Sequence, residues 1–176
     1  IMYKILTQVN DKLIYEMIEL DKLVFQGEDI GSFEKCKEWL SVNADIYTVL
    51  LYNNRVIGYI NFIPIDDDIY KLFKMRRIAD FQITKNDILR FEKGKTFNCL
   101  FTSIVIHPEF QTGFPLIKLW LGFIKHIKKF QIHINNVIMD CVTDIGKRCA
   151  KNYLKAKKIR KSKHGEIYEG RIIDLV

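Results

Sequence analysis

Residues 96–120 combine a long apolar stretch, a very short turn and an apolar helix, an arrangement that few folds contain. Thr96–Ile106, "TFNCLFTSIVI", is apolar on both alternating sets of positions, as in a strand covered on two sides. The turn "HPEFQTG" follows, and the helix after Pro115 has a wide apolar face with lysines on the rest. This segment predicts a central β-strand whose sheet is covered by the next helix.

The first third of the chain predicts a strand, two helices and a β-hairpin. Tyr3–Gln8 alternates as an edge strand does, and Asn10 and Ser32 are good N-caps for the helices that follow. The stretch "DIYTVLLYNNRVIGYINFIPI" holds two β-branched and aromatic runs separated by Asn53 and Asn54. Asparagines tolerate the positive φ of a type I′ turn, so a hairpin is predicted, with Pro64 ending its second strand.

Between the hairpin and the central strand, Asp66–Lys95 is predicted to be a mostly helical insertion. Acidic side chains are favoured at a helix N-terminus, so Asp66, Asp67 and Asp68 are interpreted as a cap. Thr84 is a second candidate cap, before "KNDILRF", and a short extended piece is predicted around Phe81–Ile83.

After the central strand and its helix, "NNVIMDCVT" predicts a further strand, and Asp144 is the candidate cap of the next helix. "KHGE" predicts a turn into a last strand, Ile167–Leu175. The whole chain, residues 1–176, is interpreted as one α/β domain with a mixed sheet and helices on both faces.

Composition excludes several classes of protein. Hydrophobic residues make up 48% of the chain and charged residues 28%, a balance typical of globular proteins. No apolar run approaches the roughly 20 residues of a membrane span, and the N-terminus lacks a secretory signal, so a cytoplasmic protein without a membrane partner is predicted. The four cysteines and four histidines are scattered, which predicts reduced thiols and no metal site.

The net charge is +7, and much of the excess lies between Lys147 and Lys163. Such a run attracts anions, but lysines on a helix face usually only keep a surface solvated. Because interleaved exposed aromatics and a docking motif are missing, nucleic-acid binding ranks last among the functions considered.

The order of elements and the exit of the central strand together resemble the GCN5-related N-acetyltransferase (GNAT) superfamily, which transfers acyl groups from CoA. The end of the central strand and the turn after it match the family pattern at Ile106, Pro108, Gln111 and Gly113, where the family has an apolar residue, a proline, Gln or Arg and a glycine-rich turn. Backbone N–H groups between a strand end and a helix N-terminus converge on one point, where a pyrophosphate accepts them. The resemblance implies a mixed, mostly antiparallel sheet with an insertion between strands 3 and 4.

The resemblance also implies where acetyl-CoA binds. In the family, strand 4 splays from strand 5, and its free backbone groups pair with the pantetheine arm. The implied cofactor-binding residues are Ile104, Val105, Ile106, Gln111, Thr112, Gly113, Phe114 and Pro115. The family usually has two spaced small residues after the Gln, whereas this chain has one glycine, then Phe114 and Pro115. Either the loop is a residue shorter, or proline, which has no N–H, replaces its last donor.

In the helix after strand 5, the family often has Asn, then Ala, then a Tyr that protonates the departing thiolate. Two registers place this pattern on the chain: Gly146, Cys149 and Tyr153, or Lys147, Ala150 and Leu154. The first is preferred and implies Tyr153 as the general acid, and a phenol suits that role. The alternative is a tyrosine that only packs on an amphipathic helix.

The implied function is transfer of an acetyl group from acetyl-CoA to a primary amine of a small molecule or a protein. No base is identified; the candidates by residue type are Glu16, Glu19, Asp80, Glu109 and Glu166, and Thr102 and Ser103 are candidates for ordering a water. Cys141 has apolar neighbours, which favour an inert thiol over an acyl-cysteine.

The second hypothesis is a silent member that binds a CoA ester or a partner for regulation. The acceptor and the oligomeric state, a homodimer included, stay open.

Overall fold

The structure, a computed structural model, describes residues 2–172; residue 1, residues 173–176 and the side chain of Glu28 lie outside the described part. The helices are α1 (Asp11–Val24), α2 (Phe33–Val42), α3 (Asp67–Lys74), α4 (Phe114–Lys128) and α5 (Asp144–Leu154). The strands are β1 (Tyr3–Leu6), β2 (Tyr47–Tyr52), β3 (Arg55–Ile65), β4 (Thr96–Ile106), β5 (His133–Cys141), β6 (Lys157–Lys161) and β7 (Glu166–Gly170). Among these residues, no helix has both the length and the apolar character needed to cross a membrane.

All of the described strands form one sheet in the order β1-β2-β3-β4-β5-β7-β6. β4 and β5 run parallel, and every other neighbouring pair is antiparallel. On one face, Met17 of α1 and Trp39 of α2 pack into a buried cluster; on the other, Phe123 of α4 and Ala150 of α5 pack into a second. The predicted α/β architecture, a mostly antiparallel mixed sheet covered on both faces, is confirmed.

Local signals in the first third of the chain are confirmed. The N–H of Leu13 donates to Asn10 Oδ1 at 3.0 Å, and the N–H of Lys35 donates to Ser32 Oγ at 3.2 Å. Asn53 and Asn54 have φ values of 46° and 64°, as a type I′ hairpin turn requires. These features depend on neighbours in sequence, which is why the pattern alone predicts them.

The insertion between β3 and β4 contains the predicted helix, capped by Asp66, but less helix than expected. The helix that Thr84 was predicted to cap is absent from the described residues: the N–H and hydroxyl of Thr84 donate to Asp87 Oδ2 at 2.8 and 2.9 Å, which closes a turn. Asp80–Gln82 is a 3-10 turn where an extended piece was predicted. β3 also runs through Pro64 to Ile65, because Ile65 still pairs with β4.

The last third departs from prediction at three places. Thr143, not Asp144, caps α5, since its hydroxyl accepts the N–H of Gly146 at 3.1 Å. The prediction missed β6, which pairs with β7 across a turn closed by the N–H of Ser162 donating to the carbonyl of Gly165. β7 ends at Gly170, so the predicted end at Leu175 lies outside the described residues.

Candidate active site

The sheet opens between β4 and β5. Their parallel pairing starts at Thr96 and His133 and ends at Phe101 and Met139, although β4 continues to Ile106. Beyond Phe101, β4 pairs only with β3 among the described strands. The last five residues of β4 therefore have an edge that faces a gap, and the predicted splay is present.

A β-bulge lies where the gap begins. Asn61 pairs with Ser103 and Phe62 with Phe101, so Thr102 is the extra residue on β4. The hydroxyl of Thr102 donates to Asn61 Oδ1, and Asn61 is itself buried. A bulge bends its strand and re-aims the side chains beside it. Here it turns the second half of β4 away from β5.

A cavity occupies the gap and receives residues from both faces of the sheet. Thr102, Ser103 and Ile104 line it from β4, and Gly146 lines it from α5. The opposite face contributes the segment after α1 and the insertion, with Phe25, Asp29, Ala79, Asp80 and Phe81. The cavity in the gap is therefore bounded by α5 on one face of the sheet and by the segment after α1 and the insertion on the other.

The turn after β4 is held by the protein itself. The N–H of His107 donates to the carbonyl of Ile57 at 2.7 Å, and Gln111 Nε2 donates to the carbonyl of Ile106 at 3.2 Å. The ring centroid of Phe110 lies 5.2 Å from that of Tyr52, and the N–H of Phe110 donates to the carbonyl of His107 at 2.8 Å. Contacts within the protein thus hold the turn in place.

The start of α4 presents free N–H groups. Gly113 is the N-cap, with φ 74° and ψ −131° and no capping side chain, and a Cβ built on it meets nothing within 4 Å. Within residues 2–172, no backbone acceptor binds the N–H of Thr112, Gly113, Phe114 or Leu116. α4 begins at Phe114, so Pro115 is its second residue, whereas the helix was predicted to follow Pro115. These donors and the positive end of the helix dipole suit an anion.

A second cavity, of about 260 Å³, lies on the side of α1 and α2. Its walls include the aromatic rings of Trp39, Tyr47 and Tyr59. It shares Thr102 and Ser103 with the cavity in the gap, and also Asp29, Asp80 and Phe81. The two cavities therefore meet at the bulge of β4.

Carboxyl groups with altered acidity line the second cavity. Asp21 is only 3% exposed, and burial raises its pKa to about 6, although hydrogen bonds from Tyr59 and Gly31 oppose the rise. Burial also raises the pKa of Asp80 to about 6, and the nearby Asp140 and Asp29 add to the rise. The carboxylate of Asp29 lies 2.9 Å from Nδ1 of His164.

Tyr153 lies away from the lining of the gap. Its ring stacks on Trp120 of α4, with centroids 4.8 Å apart and planes 12° apart. Burial raises the pKa of its phenol, and Cys149 adds to the rise. The part of α5 that lines the gap is Gly146, which the preferred register places at the asparagine position. The role of Tyr153 stays a prediction.

Of the carboxylates named as candidate bases, Asp80 is the one that lines the two cavities. Glu16 accepts the N–H of Val56, and Glu166 pairs with Lys158. Sequence reasoning missed Asp21, although its place four residues after Met17 puts it on the buried face of α1.

Cys141 lines the gap, but burial raises the pKa of its thiol to about 12, as expected of an inert cysteine. Among the described residues, no group of three or more His, Cys, Asp or Glu side chains is arranged to hold a metal ion.

No protein-family model matches the sequence, and the search of curated proteins found no match. Solved structures do match. The loading GNATL domain of CurA from Lyngbya majuscula is 11% identical, with a TM-score of 0.62 over 98% of both chains. Arabidopsis thaliana Naa50, solved with the bisubstrate analogue CoA-Ac-MVNAL, is 9% identical, with a TM-score of 0.59 over 96% of this chain and 97% of that one.

The PaiA N-acetyltransferase of Thermoplasma acidophilum, solved with coenzyme A, is 13% identical, with a TM-score of 0.58 over 97% of this chain and 99% of that one. At such low identity, the likeness concerns the fold. The protein has the GNAT fold over almost its whole length.

Proposed function

We propose that this protein is an acetyl-CoA-dependent N-acetyltransferase whose acceptor is a primary amine of a small molecule or a protein. The observation that carries the proposal is the gap between β4 and β5: the unpaired edge of β4 leads into the turn before α4, and the cavity in the gap shares residues with the cavity beside α1 and α2. In this arrangement two substrates would approach one point, near the residues that the two cavities share, from opposite faces of the sheet.

The residues at the start of α4 fit a CoA pyrophosphate. The N–H groups of Thr112, Gly113, Phe114 and Leu116 have no backbone acceptor within residues 2–172, and Gly113 leaves open space beside them. The edge of β4 at Ile104–Ile106 is free to bind the amides of an extended arm as a further strand would. Acetyl-CoA, when bound, supplies a thioester carbonyl that an amine attacks.

The second cavity fits a cationic amine better than an anion. Asp21, Asp29 and Asp80 line it, and carboxylates in a cleft attract and concentrate cations. Its one lysine, Lys35, is held by Glu38 at 3.5 Å and by the carbonyl of Ile83 at 3.0 Å. The acceptor would then reach Ser103 from the side of α1 while CoA lies on the other side.

A silent domain that binds CoA without turnover is the second candidate. Pro115 removes one donor from the start of α4, and Tyr153 stacks on Trp120 outside the lining of the gap. The missing donor weakens CoA binding, and the position of Tyr153 outside the lining argues against catalysis.

Thermal unfolding with ligands tests the proposal. CoA or acetyl-CoA at a hundredfold excess over its dissociation constant is expected to raise Tm by roughly 5 to 10 °C, whereas a nucleotide without pantetheine raises it less. Release of free thiol from acetyl-CoA with a panel of amines then separates an enzyme from a silent binder. No shift with either CoA species would contradict the proposal.

Pro115→Ala is expected to tighten CoA binding about tenfold. The change adds an N–H at the second position of α4, and a hydrogen bond to a charged group contributes roughly 1.5 kcal/mol or more. Calorimetric titration with CoA measures the change. Pro108→Ala, in the same turn but outside α4, is the matched control and should leave affinity within about twofold. Unchanged affinity in Pro115→Ala would show that the missing donor does not limit binding.

A further inference from the structure

The proposed reaction needs a group that takes the proton of the attacking amine, and the second cavity contains a hydrogen-bonded chain that ends in a carboxyl. The phenol of Tyr59 donates to Asp21 Oδ1 at 2.5 Å, and the N–H of Gly31 donates to Asp21 Oδ2 at 3.0 Å. Ser103 pairs with Asn61, two residues from Tyr59, so its side chain lies on the same face of the sheet as the phenol, and both residues line the second cavity. Ser103, Tyr59 and Asp21 thus link the bulge of β4 to α1.

The chain begins where the two cavities meet. Ser103 lines both cavities, whereas Tyr59 and Asp21 line only the second one. Tyr59 is 4% exposed and Asp21 3%, so bulk water has little access to either group. The route from Ser103 to the carboxylate therefore runs through buried groups.

We propose that Asp21 is the final proton acceptor of the transfer reaction, reached from the acceptor amine through the hydroxyl of Ser103 and the phenol of Tyr59. This inference rests on the proposed function. The amine nitrogen forms a bond to the acetyl carbon while the bond from that carbon to sulfur breaks. The amine proton passes to Ser103 Oγ, the hydroxyl proton of Ser103 passes to Tyr59, and the phenol proton passes to Asp21. The departing sulfur takes its proton from a separate acid.

The acidity of Asp21 suits this role, since burial raises its pKa to about 6, close to the neutral pH at which a general base is most effective. The titratable groups around it come from several elements: Cys36 and Lys35 of α2, Tyr47 of β2, Tyr59 of β3, and Asp29 and Asp80 at the cavity wall. Burial holds the pKa of Tyr47 and Tyr59 well above 10 and raises that of Cys36, so these three stay neutral near pH 6. Asp80, whose pKa is also raised to about 6, is therefore the rival acceptor.

The test compares the pH dependence of kcat in the wild type, Asp21→Asn and Asp80→Asn with one amine. Asp21 accepts a proton only when ionised, so the ratio of wild-type to Asp21→Asn kcat is expected to reach about 10² to 10⁴ above pH 6 and to fall as pH drops through 6. Ionisation of the amine affects both proteins equally and cancels in the ratio. Asp80→Asn should retain the wild-type dependence. A constant ratio for Asp21→Asn, or loss of the dependence in Asp80→Asn alone, would overturn the inference.

A second readout needs no substrate and covers the case in which Asp21→Asn does not fold. In the CoA-free protein, the Asp21 carboxyl carbon is expected to titrate near pH 6 by NMR. Tyr59→Phe should move that midpoint upward, because it removes a hydrogen bond that stabilises the carboxylate, and should also lower kcat while CoA affinity is kept. An Asp21 midpoint near 4, or one that Tyr59→Phe leaves unchanged, would contradict the relay. A wild type without turnover at any pH, with any amine, would instead refute the proposed function and the relay with it.

Discussion

Gly113→Ala is expected to weaken CoA binding by about 10- to 100-fold. The backbone of Gly113 has φ 74° and ψ −131°, a region in which a residue with a Cβ is strained by roughly 1 to 3 kcal/mol. Relief of that strain rotates the N–H groups on either side of the residue, and each hydrogen bond to a charged group contributes roughly 1.5 to 3 kcal/mol. The added methyl also occupies the open space beside the N–H groups, where the pyrophosphate is proposed to lie.

Gly94→Ala is the matched control for this change. Gly94 has φ 78°, and a Cβ there also meets nothing within 4 Å, but it lies in the turn before β4 rather than after it. Both variants should lose stability in thermal unfolding, whereas only Gly113→Ala should lose affinity in a calorimetric titration with CoA. Equal affinity in the two variants would show that the turn after β4 does not bind the pyrophosphate.

Tyr153→Phe is expected to lower turnover of acetyl-CoA by about 10²-fold if the phenol protonates the departing thiolate. Phe keeps the ring that stacks on Trp120 at 4.8 Å and removes only the hydroxyl, so CoA affinity and Tm should change little. Steady-state release of free thiol measures the effect. Tyr168→Phe is the control, because the hydroxyl of Tyr168 has no proposed part in the reaction and donates to Glu166 Oε2 at 3.0 Å. Unchanged turnover in Tyr153→Phe would show that the tyrosine only packs against α4.

The signals that predict this fold correctly are short-range. The limits of β4 at Thr96 and Ile106 follow from its apolar run, and the hairpin turn follows from Asn53 and Asn54. The two helix caps at Asn10 and Ser32 depend on residues three positions away. Where a distant contact decides, the pattern fails: Ile88 makes an isolated bridge with Ile65 instead of joining the helix that was predicted after Thr84.

The candidate site also has one part that the local sequence predicts and one part that depends on distant contacts. The turn at Gln111–Pro115 is visible in the sequence because a strand end, a glycine and a helix start are adjacent in the chain. Asp21 is separated from Tyr59 by 38 residues, and its role depends on contacts that no local spacing encodes. The position of Asp21 on the apolar face of α1 indicates that it is buried, but the sequence does not indicate which phenol donates to it.

The sequence by itself determined the order of the elements through α5, the caps of α1, α2 and α3, the hairpin and the turn after β4, because each depends on the conformational preferences of neighbouring residues. Only the tertiary structure decided that β4 and β5 separate after Phe101, that the two cavities meet at Ser103, and that Asp21 is buried against Tyr59. Burial and long-range hydrogen bonds alter the acidity of a carboxyl, and they exist only once distant segments have packed together.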